Sequence, residues 1–266
     1  ESIDYACWNP VLFQPKTKTG SEPLILFYKV GITSRLWWGM ATQSSDGGKT
    51  WDSPVKLGTS EHLPKQNPNL TGPAKNKPIE LSDGTWVCGS SSENEHGWHV
   101  HFETSTDLGK TWRASPPIDD SEEFNAIQPT FLIHGKNRLQ ILCRSKEGVV
   151  VQSKSDDNGA TWSKLTATNL PNPNSGLDAV TLAGGQHLLV LNPTKEGRRT
   201  LSVVMSNNGD DWFTVWTLED RGGEYSYPSV IQTTDGNVHI VYTWRRKSIR
   251  HVVLDPKNLK HLPAEL

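Results

Sequence analysis

Apolar and polar positions alternate in short runs along the chain, and a polar turn interrupts each run after a few residues. Leu24–Val30 is typical, because aliphatic and aromatic side chains dominate it and a glycine follows. Runs of this kind predict β-strands. The pairs Asp83-Gly84, Gly184-Gly185 and Asp235-Gly236 have the sequence of tight hairpin turns. No segment shows the period of an amphipathic helix, so the pattern predicts an all-β fold.

One turn sequence is repeated along the chain. Ser-Ser-Asp-Gly-Gly-Lys-Thr-Trp at 44–51 returns with small changes at 105–112 and 155–162, and a shortened copy lies at 206–212. Its Ser and Asp side chains can bond the turn backbone, and its Trp gives the next strand an apolar anchor. The copies lie roughly 50–60 residues apart. This period is typical of a β-propeller with four-stranded antiparallel blades.

The repeat divides the chain into predicted blades. We expect a single domain over residues 1–266, with a last blade that ends after its third strand. The predicted blades cover residues 8–66, 76–124, 127–172, 177–222 and 225–256.

The order of strands A to D in a blade predicts which end carries function. The Asp-Gly pairs and the repeats fall in the A–B and C–D turns, at one end. The B–C loops and D–A connections share the other end, and irregular loops on a rigid scaffold commonly carry function. The predicted loop Ser90–Trp98 contributes Glu93 and a candidate sugar-stacking residue, Trp98. The other polar candidates at this end are Arg144, Arg198, Arg199, Arg245, Arg246, Asp178, Tyr225 and Tyr227.

The starts of the A strands are a second source of candidates. In a propeller these strands line the central axis, so residues at their starts are expected to face one funnel. The equivalent positions are Asn9, Lys77, Gln128, Asp178 and Tyr227. Tyr225 and Tyr227 are two positions apart, so in an extended strand both would face the same way.

Composition narrows the choice of partners. A formal net charge of −2 gives no general attraction to nucleic acid. No apolar run is long enough to span a bilayer, and the first residues are not a signal peptide, although secretion stays open. The cysteines lack metal-type spacing, and Cys88 and Cys143 are predicted to be buried thiols. His99 and His101 have no further ligand at metal spacing, so neither a metal nor another cofactor is predicted.

The repeated turn resembles the Asp-box of the sialidase (neuraminidase) superfamily, and nearly the whole chain is similar to its bacterial-type BNR-repeat branch. Further phrases carry the resemblance: Trp-Asn-Pro-Val-Leu-Phe at 8–13, Asn-Lys-Pro-Ile-Glu-Leu at 76–81, Leu-Pro-Asn-Pro-Asn-Ser-Gly-Leu-Asp at 170–178 and Tyr-Ser-Tyr-Pro-Ser-Val-Ile-Gln at 225–232. The resemblance implies a sialidase-type β-propeller, in which six blades surround the site.

The resemblance also implies roles for residues. In sialidases three arginines clamp the substrate carboxylate, a Tyr–Glu pair supplies the nucleophile and an Asp is the acid/base. By position, Arg144 and Arg199 are similar to two of those arginines. The family's nucleophilic tyrosine matches Tyr227 if the distance to Asp235-Gly236 is compared, or Tyr225 if the Tyr-Ser pair is compared. The Glu has no clear match at 125–128: Glu122 and Glu123 lie nearby, and Asp178 is the nearest carboxylate in the next blade. Further substrate contacts are expected from Arg198, Arg245, Gln128, Glu93 and Trp98.

The chain departs from the family pattern in its first blade. The arginine and the acid/base Asp that this blade normally brings have no match, and the chain looks like five of the six blades. It is therefore either part of a larger propeller or a five-bladed form. An unclosed blade edge predicts pairing with another chain.

These features lead to a ranked set of functions. The leading hypothesis is a retaining glycoside hydrolase for terminal acidic sugars, sialic acid or a relative, whose partner is a glycan or glycoconjugate. A carbohydrate-binding propeller without turnover is the alternative. A uronic-acid hydrolase or lyase also stays open, because arginines select any sugar carboxylate.

Overall fold

The described residues form antiparallel β-sheets joined by turns, with short 3-10 helices at Ser34–Leu36 and Pro256–Asn258. The computed structural model of the protein describes residues 5–15, 22–119 and 122–260. The chain divides into two compact units. The first comprises residues up to 123 together with 127–129, and the second comprises 124–126 and the residues from 130 onward. The expectation of one domain over 1–266 stays a prediction.

The first unit contains two four-stranded sheets whose strands follow chain order. The first sheet consists of β1 (Cys7–Phe13), β2 (Leu24–Val30), β3 (Trp38–Ser44) and β4 (Val55–Lys56). The second consists of β5 (Ile79–Glu80), β6 (Trp86–Asn94), β7 (Gly97–Ser105) and β8 (Arg113–Ala114).

The second unit holds the remaining sheets. One consists of β9 (Ala126–Ile133), β10 (Leu139–Ser145), β11 (Val149–Ser155) and β12 (Thr166–Pro171), although residues 127–129 group with the first unit. The next consists of β13 (Asp178–Thr181), β14 (His187–Leu191), β15 (Leu201–Ser206) and β16 (Phe213–Glu219). The last consists of β17 (Tyr225–Gln232), β18 (Val238–Trp244) and β19 (Ser248–Leu254). Within the described ranges this sheet has three strands, as predicted for the fifth blade.

Alternating burial gives β2 one packed face. Every second residue of β2 is buried, and Phe27 is 2% exposed. Phe27 packs edge-on against Trp112 with ring centroids 5.6 Å apart, and Phe13 packs in the same way against Trp86 at 5.1 Å. These aromatic rings form much of the core of the first unit.

One predicted loop proved to be strand. Residues 90–98 were expected to form an irregular B–C loop, but β6 and β7 continue through them and pair Glu93 directly with Trp98. The small serines at 90–92 fit an extended backbone beside a partner strand, and Gly97, with a φ of 142°, lets the chain turn back tightly. Glu93 and Trp98 therefore lie on a regular hairpin.

The repeated turns are closed by one hydrogen-bond pattern. In the third copy, Asp157 Oδ1 accepts from Ser155 Oγ and from the Thr161 backbone N–H, each at 2.8 Å, and Oδ2 accepts from Thr161 Oγ1 at 2.6 Å. Trp162 Nε1 donates to the Gly159 carbonyl at 3.1 Å. The Thr161 side chain and backbone, and then Ser155, lower the pKa of Asp157 to about 2. The turn prediction is thereby confirmed.

Replacing Asp157 with asparagine is expected to be far milder than replacing it with alanine. Asn208 already holds this position in the shortened copy, where its Oδ1 accepts from the backbone N–H groups of Asp210 and Asp211 at 2.9 Å. Alanine removes both acceptors and should lower the midpoint of thermal unfolding by several degrees. Calorimetry of the two variants checks this. Equal midpoints would mean that the acceptor oxygen at position 157 does not stabilise the turn.

A buried histidine of β14, His187, contacts the partly buried His134, which follows β9. His187 Nε2 and His134 Nδ1 lie 3.2 Å apart, and His187 Nδ1 lies 2.9 Å from Thr181 Oγ1. His187 is 1% exposed. Burial, and then repulsion from His134, lowers the pKa of His187 from 6.5 to about 4. The folded protein therefore favours the neutral imidazole.

Acid is expected to weaken the fold through His187. The unfolded chain binds a proton at this residue below about pH 6.5 and the folded chain only near pH 4, so stability is complete above the first value and declines between the two. The loss in free energy of unfolding over this range is about 3 kcal/mol. Urea titrations near neutral pH and near pH 4 should show a smaller loss for His187→Gln. His62→Gln, at an exposed position, is the control and should behave like the parent chain.

Candidate functional site

Arg144 lies at the end of β10 and reaches an exposed tyrosine. Its Nε donates to Asn174 Oδ1 at 2.8 Å, and its Nη1 donates to the Tyr227 hydroxyl at 3.4 Å. Arg144 is 8% exposed, whereas Tyr227 is 41% exposed. A buried guanidinium thus points its charge toward a ring that solvent and ligands can reach.

Arg198, in the connection between β14 and β15, reaches the same tyrosine. Its Nη2 donates to the Asn174 carbonyl at 3.2 Å, and its guanidinium lies 5.6 Å from the centroid of the Tyr227 ring, within cation–π range. The neighbouring Arg199 is exposed and makes no hydrogen bond or ion pair with the described part of the chain. The contacts therefore place Arg198 at Asn174 and Tyr227, and the role of Arg199 stays a prediction.

Asn174 holds both arginines and was missed as a site residue from the sequence. Its side chain accepts from Arg144 and its carbonyl accepts from Arg198. Its φ is +53°, a left-handed conformation that asparagine tolerates better than most residues. The signal was present in the Pro-Asn-Pro-Asn-Ser-Gly stretch at 171–176, which is typical of a fixed turn.

Replacing Asn174 with glycine is expected to loosen Arg144 without disturbing the backbone. Glycine adopts the left-handed φ freely and keeps the carbonyl that receives Arg198, but it removes the acceptor of Arg144 Nε. A lost hydrogen bond to a charged group should weaken binding of a carboxylated sugar about tenfold. Titration calorimetry measures this, with Asn137→Gly as a control in an exposed turn. An affinity equal to that of the control would mean that Asn174 does not position Arg144.

The backbone at Tyr227 is strained, and the same conformation before a proline occurs at two other positions. Its φ is +52°, although a proline follows, and the β17–β18 register shifts between Ser226 and Ser229. Asn9 and Gln128 also precede prolines and have φ values of +46° and +60°. Positive φ is uncommon for such residues and concentrates at functional positions.

This bulge overturns one expectation about the two tyrosines. Tyr225 is 0% exposed, so it does not share the accessible face of Tyr227. Its hydroxyl donates to the Arg221 carbonyl at 2.9 Å and accepts from Arg245 Nε at 3.2 Å. Arg245 also lies 4.6 Å from the centroid of a Trp244 ring. Simple alternation fails here because the bulge at Tyr227 inserts an extra residue into the strand.

Asp178 is buried and links neighbouring strands. Its Oδ1 accepts from Thr130 Oγ1 at 2.8 Å and from the Ala179 N–H at 2.9 Å, and its Oδ2 accepts from the Val230 N–H at 2.8 Å. It is 1% exposed. These bonds join β9, β13 and β17, so the geometry favours a structural role for Asp178.

Glu224 is an acidic residue beside Arg198 that was not predicted as a site residue from the sequence. Its Oε2 accepts from Arg246 Nε at 2.7 Å, and its Oε1 lies 3.5 Å from Arg198 Nη1. Burial raises the pKa of Glu224, but the hydrogen bond and charge of Arg246, with Arg198, lower it overall. Glu224 therefore stays ionised near neutral pH and orients Arg198.

The remaining candidates belong to the first unit. The Gln128 carbonyl accepts from Asn76 Nδ2 at 2.9 Å, and Glu93 Oε2 accepts from Ser34 Oγ at 3.0 Å. Trp98 is partly buried in β7. The geometry gives no group of three possible metal ligands within the described ranges. It also gives no helix there that is long and apolar enough to cross a membrane.

Arg144, Arg198, Asn174 and Tyr227 together form what is here called the Arg–Tyr cluster. Two guanidinium groups converge on one accessible phenol, held by the Asn174 side chain and carbonyl and, for Arg198, also by Glu224. Planar guanidinium groups suit carboxylates and phosphates. The cluster is thus equipped to receive a small anion beside a hydroxyl group.

Comparison with known proteins gives a consistent family and fold. The family described as BNR repeat-like domain matches residues 1–240. A sialidase of Bacteroides fragilis is 22% identical over 278 residues, which cover 92% of this chain and 48% of the relative.

Solved structures extend the comparison. A Hadza microbial sialidase is 18% identical with a TM-score of 0.77, over 96% of this chain and 54% of that one. The intramolecular trans-sialidase of Ruminococcus gnavus is 18% identical with a TM-score of 0.70, over 89% and 53%. A protein of unknown function from Dyadobacter fermentans is 16% identical with a TM-score of 0.73, over 95% and 76%. The chain thus spans about half the length of the sialidases it matches, and the predicted sialidase-type β-propeller fold is confirmed.

Proposed function

We propose, from the premise that this chain belongs to the BNR repeat-like family of sialidase-type proteins, that it acts on terminal acidic sugars as a glycoside hydrolase. The observation that carries the proposal is the convergence of Arg144 and Arg198 on the exposed Tyr227. The relatives that are named sialidases supply the reaction class.

The arginines account for the choice of an acidic sugar. Arg144 is 8% exposed, so little water competes for its charge, and a carboxylate that replaced water there would form short charge-assisted hydrogen bonds. Arg198 contributes a second guanidinium, which Glu224 also pairs with. A carboxylate would add charge-assisted hydrogen bonds that a neutral sugar cannot form, and this difference gives the specificity.

Tyr227 is the proposed nucleophile. Its oxygen would bond to the anomeric carbon while the glycosidic C–O bond breaks, and an acid would protonate the leaving oxygen. The phenol proton would pass to a base, and water would then release the sugar with retained configuration. The nearby guanidinium groups would stabilise the negative charge that develops on the phenol oxygen.

Recognition without turnover is the second candidate, and one observation favours it. The Tyr227 hydroxyl has a hydrogen bond from Arg144, but none of the described carboxylates bonds to it. The proposed reaction needs such a base, together with an acid for the leaving group.

A paired assay tests both candidates on the purified chain. Release of fluorophore from a fluorogenic sialoside supports hydrolysis. Binding of sialylated glycans on an array without release supports recognition alone. A folded chain that neither releases the fluorophore nor binds acidic glycans overturns the proposal.

A further inference from the structure

The first unit contains a pocket of about 700 Å³, a size typical of sites for small ligands. Its walls are the hairpin β6–β7, the short helix Ser34–Leu36 and the segment 62–69. Leu36, Leu63, Pro64 and Pro117 supply apolar side chains, and the other lining residues are polar or charged. The Arg–Tyr cluster belongs to the other unit.

The hairpin gives the pocket an unusual polar wall. Ser92 lies directly opposite His99, and Ser90 lies opposite His101, so these side chains share one face. His99 and His101 are 8% and 1% exposed. A buried sheet face is ordinarily apolar, and here small hydroxyl groups alternate with imidazoles.

Glu103 selects the tautomer of the neutral His101 ring. Its Oε1 lies 3.3 Å from His101 Nε2, and the carboxylate also accepts from the backbone N–H groups of Thr71 and Gly72 and from Ser90 Oγ. Because a buried carboxylate acts as the acceptor, Nε2 of His101 carries the hydrogen, and in the neutral ring Nδ1 is left as an acceptor.

Two buried polar atoms of this wall have no hydrogen-bond partner among the described residues. They are Nδ1 of His101 and Oγ of Ser92, neither of which has a hydrogen bond within the described ranges. Both residues line the pocket. Unpaired buried polar atoms are uncommon because they cost free energy, so these two are open to a partner that enters the pocket.

The charges of the lining favour a neutral ligand. Arg35 is accompanied by Glu93 and Glu95, so the ionised groups do not add up to a positive site. The Arg–Tyr cluster, by contrast, presents two guanidinium groups to its accessible face. An acidic sugar would be repelled by the pocket glutamates, whereas hydroxyl groups can pair with imidazole, serine and amide groups.

We propose that this pocket is a second carbohydrate site, which binds a neutral, hydroxyl-rich sugar unit. One sugar hydroxyl donates to the acceptor nitrogen of His101, another pairs with Ser92, and the C–H face of the ring packs on Leu63 and Pro117. The proposal does not depend on the Arg–Tyr cluster, because it rests on residues of the first unit alone.

Saturation-transfer NMR on the intact chain tests the site. The probes are methyl glycosides of galactose, glucose, mannose and N-acetylglucosamine, each at about 20 mM because single sugars bind weakly. At least one should bind, and its addition should shift the imidazole ¹⁵N signal of His101. Ser92→Val should weaken that binding about tenfold or more, by removing the hydroxyl and filling the recess.

Controls separate this site from the Arg–Tyr cluster. Ser53→Val, at an exposed position of the same unit, should bind the neutral sugar as the parent chain does. Ser92→Val should keep its affinity for a sialoside. Absence of binding by all four glycosides overturns the proposal, and so does binding that leaves the His101 signal unmoved. If Ser92→Val does not fold, the His101 shift in the parent chain still decides the question.

Discussion

Arg144→Ala is expected to weaken binding of a sialoside about 100-fold. The side chain is 8% exposed, fixed by Asn174 and directed at Tyr227, so its removal takes a desolvated charge from the carboxylate and leaves a polar recess behind. Truncation of one partner in a buried, hydrogen-bonded charge pair typically costs 2–5 kcal/mol. Titration calorimetry on the folded variant measures the loss.

The control for this variant is Arg138→Ala. Arg138 precedes the same strand, but its side chain is 66% exposed and pairs with an Asp156 side chain that is 88% exposed. Its removal should leave sialoside affinity within about twofold. Equal affinities of the Arg144 and Arg138 variants would place the sugar carboxylate elsewhere. Arg198→Ala and Arg199→Ala can then be compared directly. Arg198 lies beside Tyr227, whereas the family resemblance assigns the contact with the sugar carboxylate to Arg199.

Tyr227→Phe is expected to reduce sialoside hydrolysis at least about 1000-fold while sialoside affinity changes little. The substitution removes only the attacking oxygen, and the ring that receives Arg198 remains. Burst-phase kinetics with the fluorogenic sialoside, beside calorimetry, separates chemistry from binding.

Tyr225→Phe is the matched control for the nucleophile. Tyr225 is buried, and its hydroxyl donates to the Arg221 carbonyl. Its loss should cost about 1 kcal/mol of stability and leave the rate almost unchanged. If Tyr225→Phe abolishes turnover and Tyr227→Phe does not, the proposed assignment of the nucleophile is wrong.

The predictable part of this protein lies where local chemistry repeats. The Asp-Gly pairs and the Ser-Asp-Gly-Thr-Trp turns define the hairpins, because side chains such as Asp157 close the turn within a few residues. Arg144 was predictable for a related reason, since it ends a regular strand whose direction follows from the turns around it.

The missed features depend on backbone geometry that no local pattern encodes. Arg198 and Arg199 are neighbours of equal chemistry, and only the path of their loop decides which one reaches Asn174. Tyr225 and Tyr227 differ in exposure because the strand bulges at Tyr227, between Ser226 and Ser229. The predicted loop at 90–98 became strand because its serines are compatible with either state.

Asn9, Gln128 and Tyr227, each of which precedes a proline, lie at positions where the side chain can change without a change of the sheet. At each position the preceding residue is left-handed, and at Asn9 and Tyr227 the register of the strand pair shifts there. A side chain at such a bulge contributes little to the alternation that defines the sheet. A different side chain can therefore stand at these positions while the strand pairing stays the same, so a proposed ligand contact such as Tyr227 is separated from the residues that determine folding.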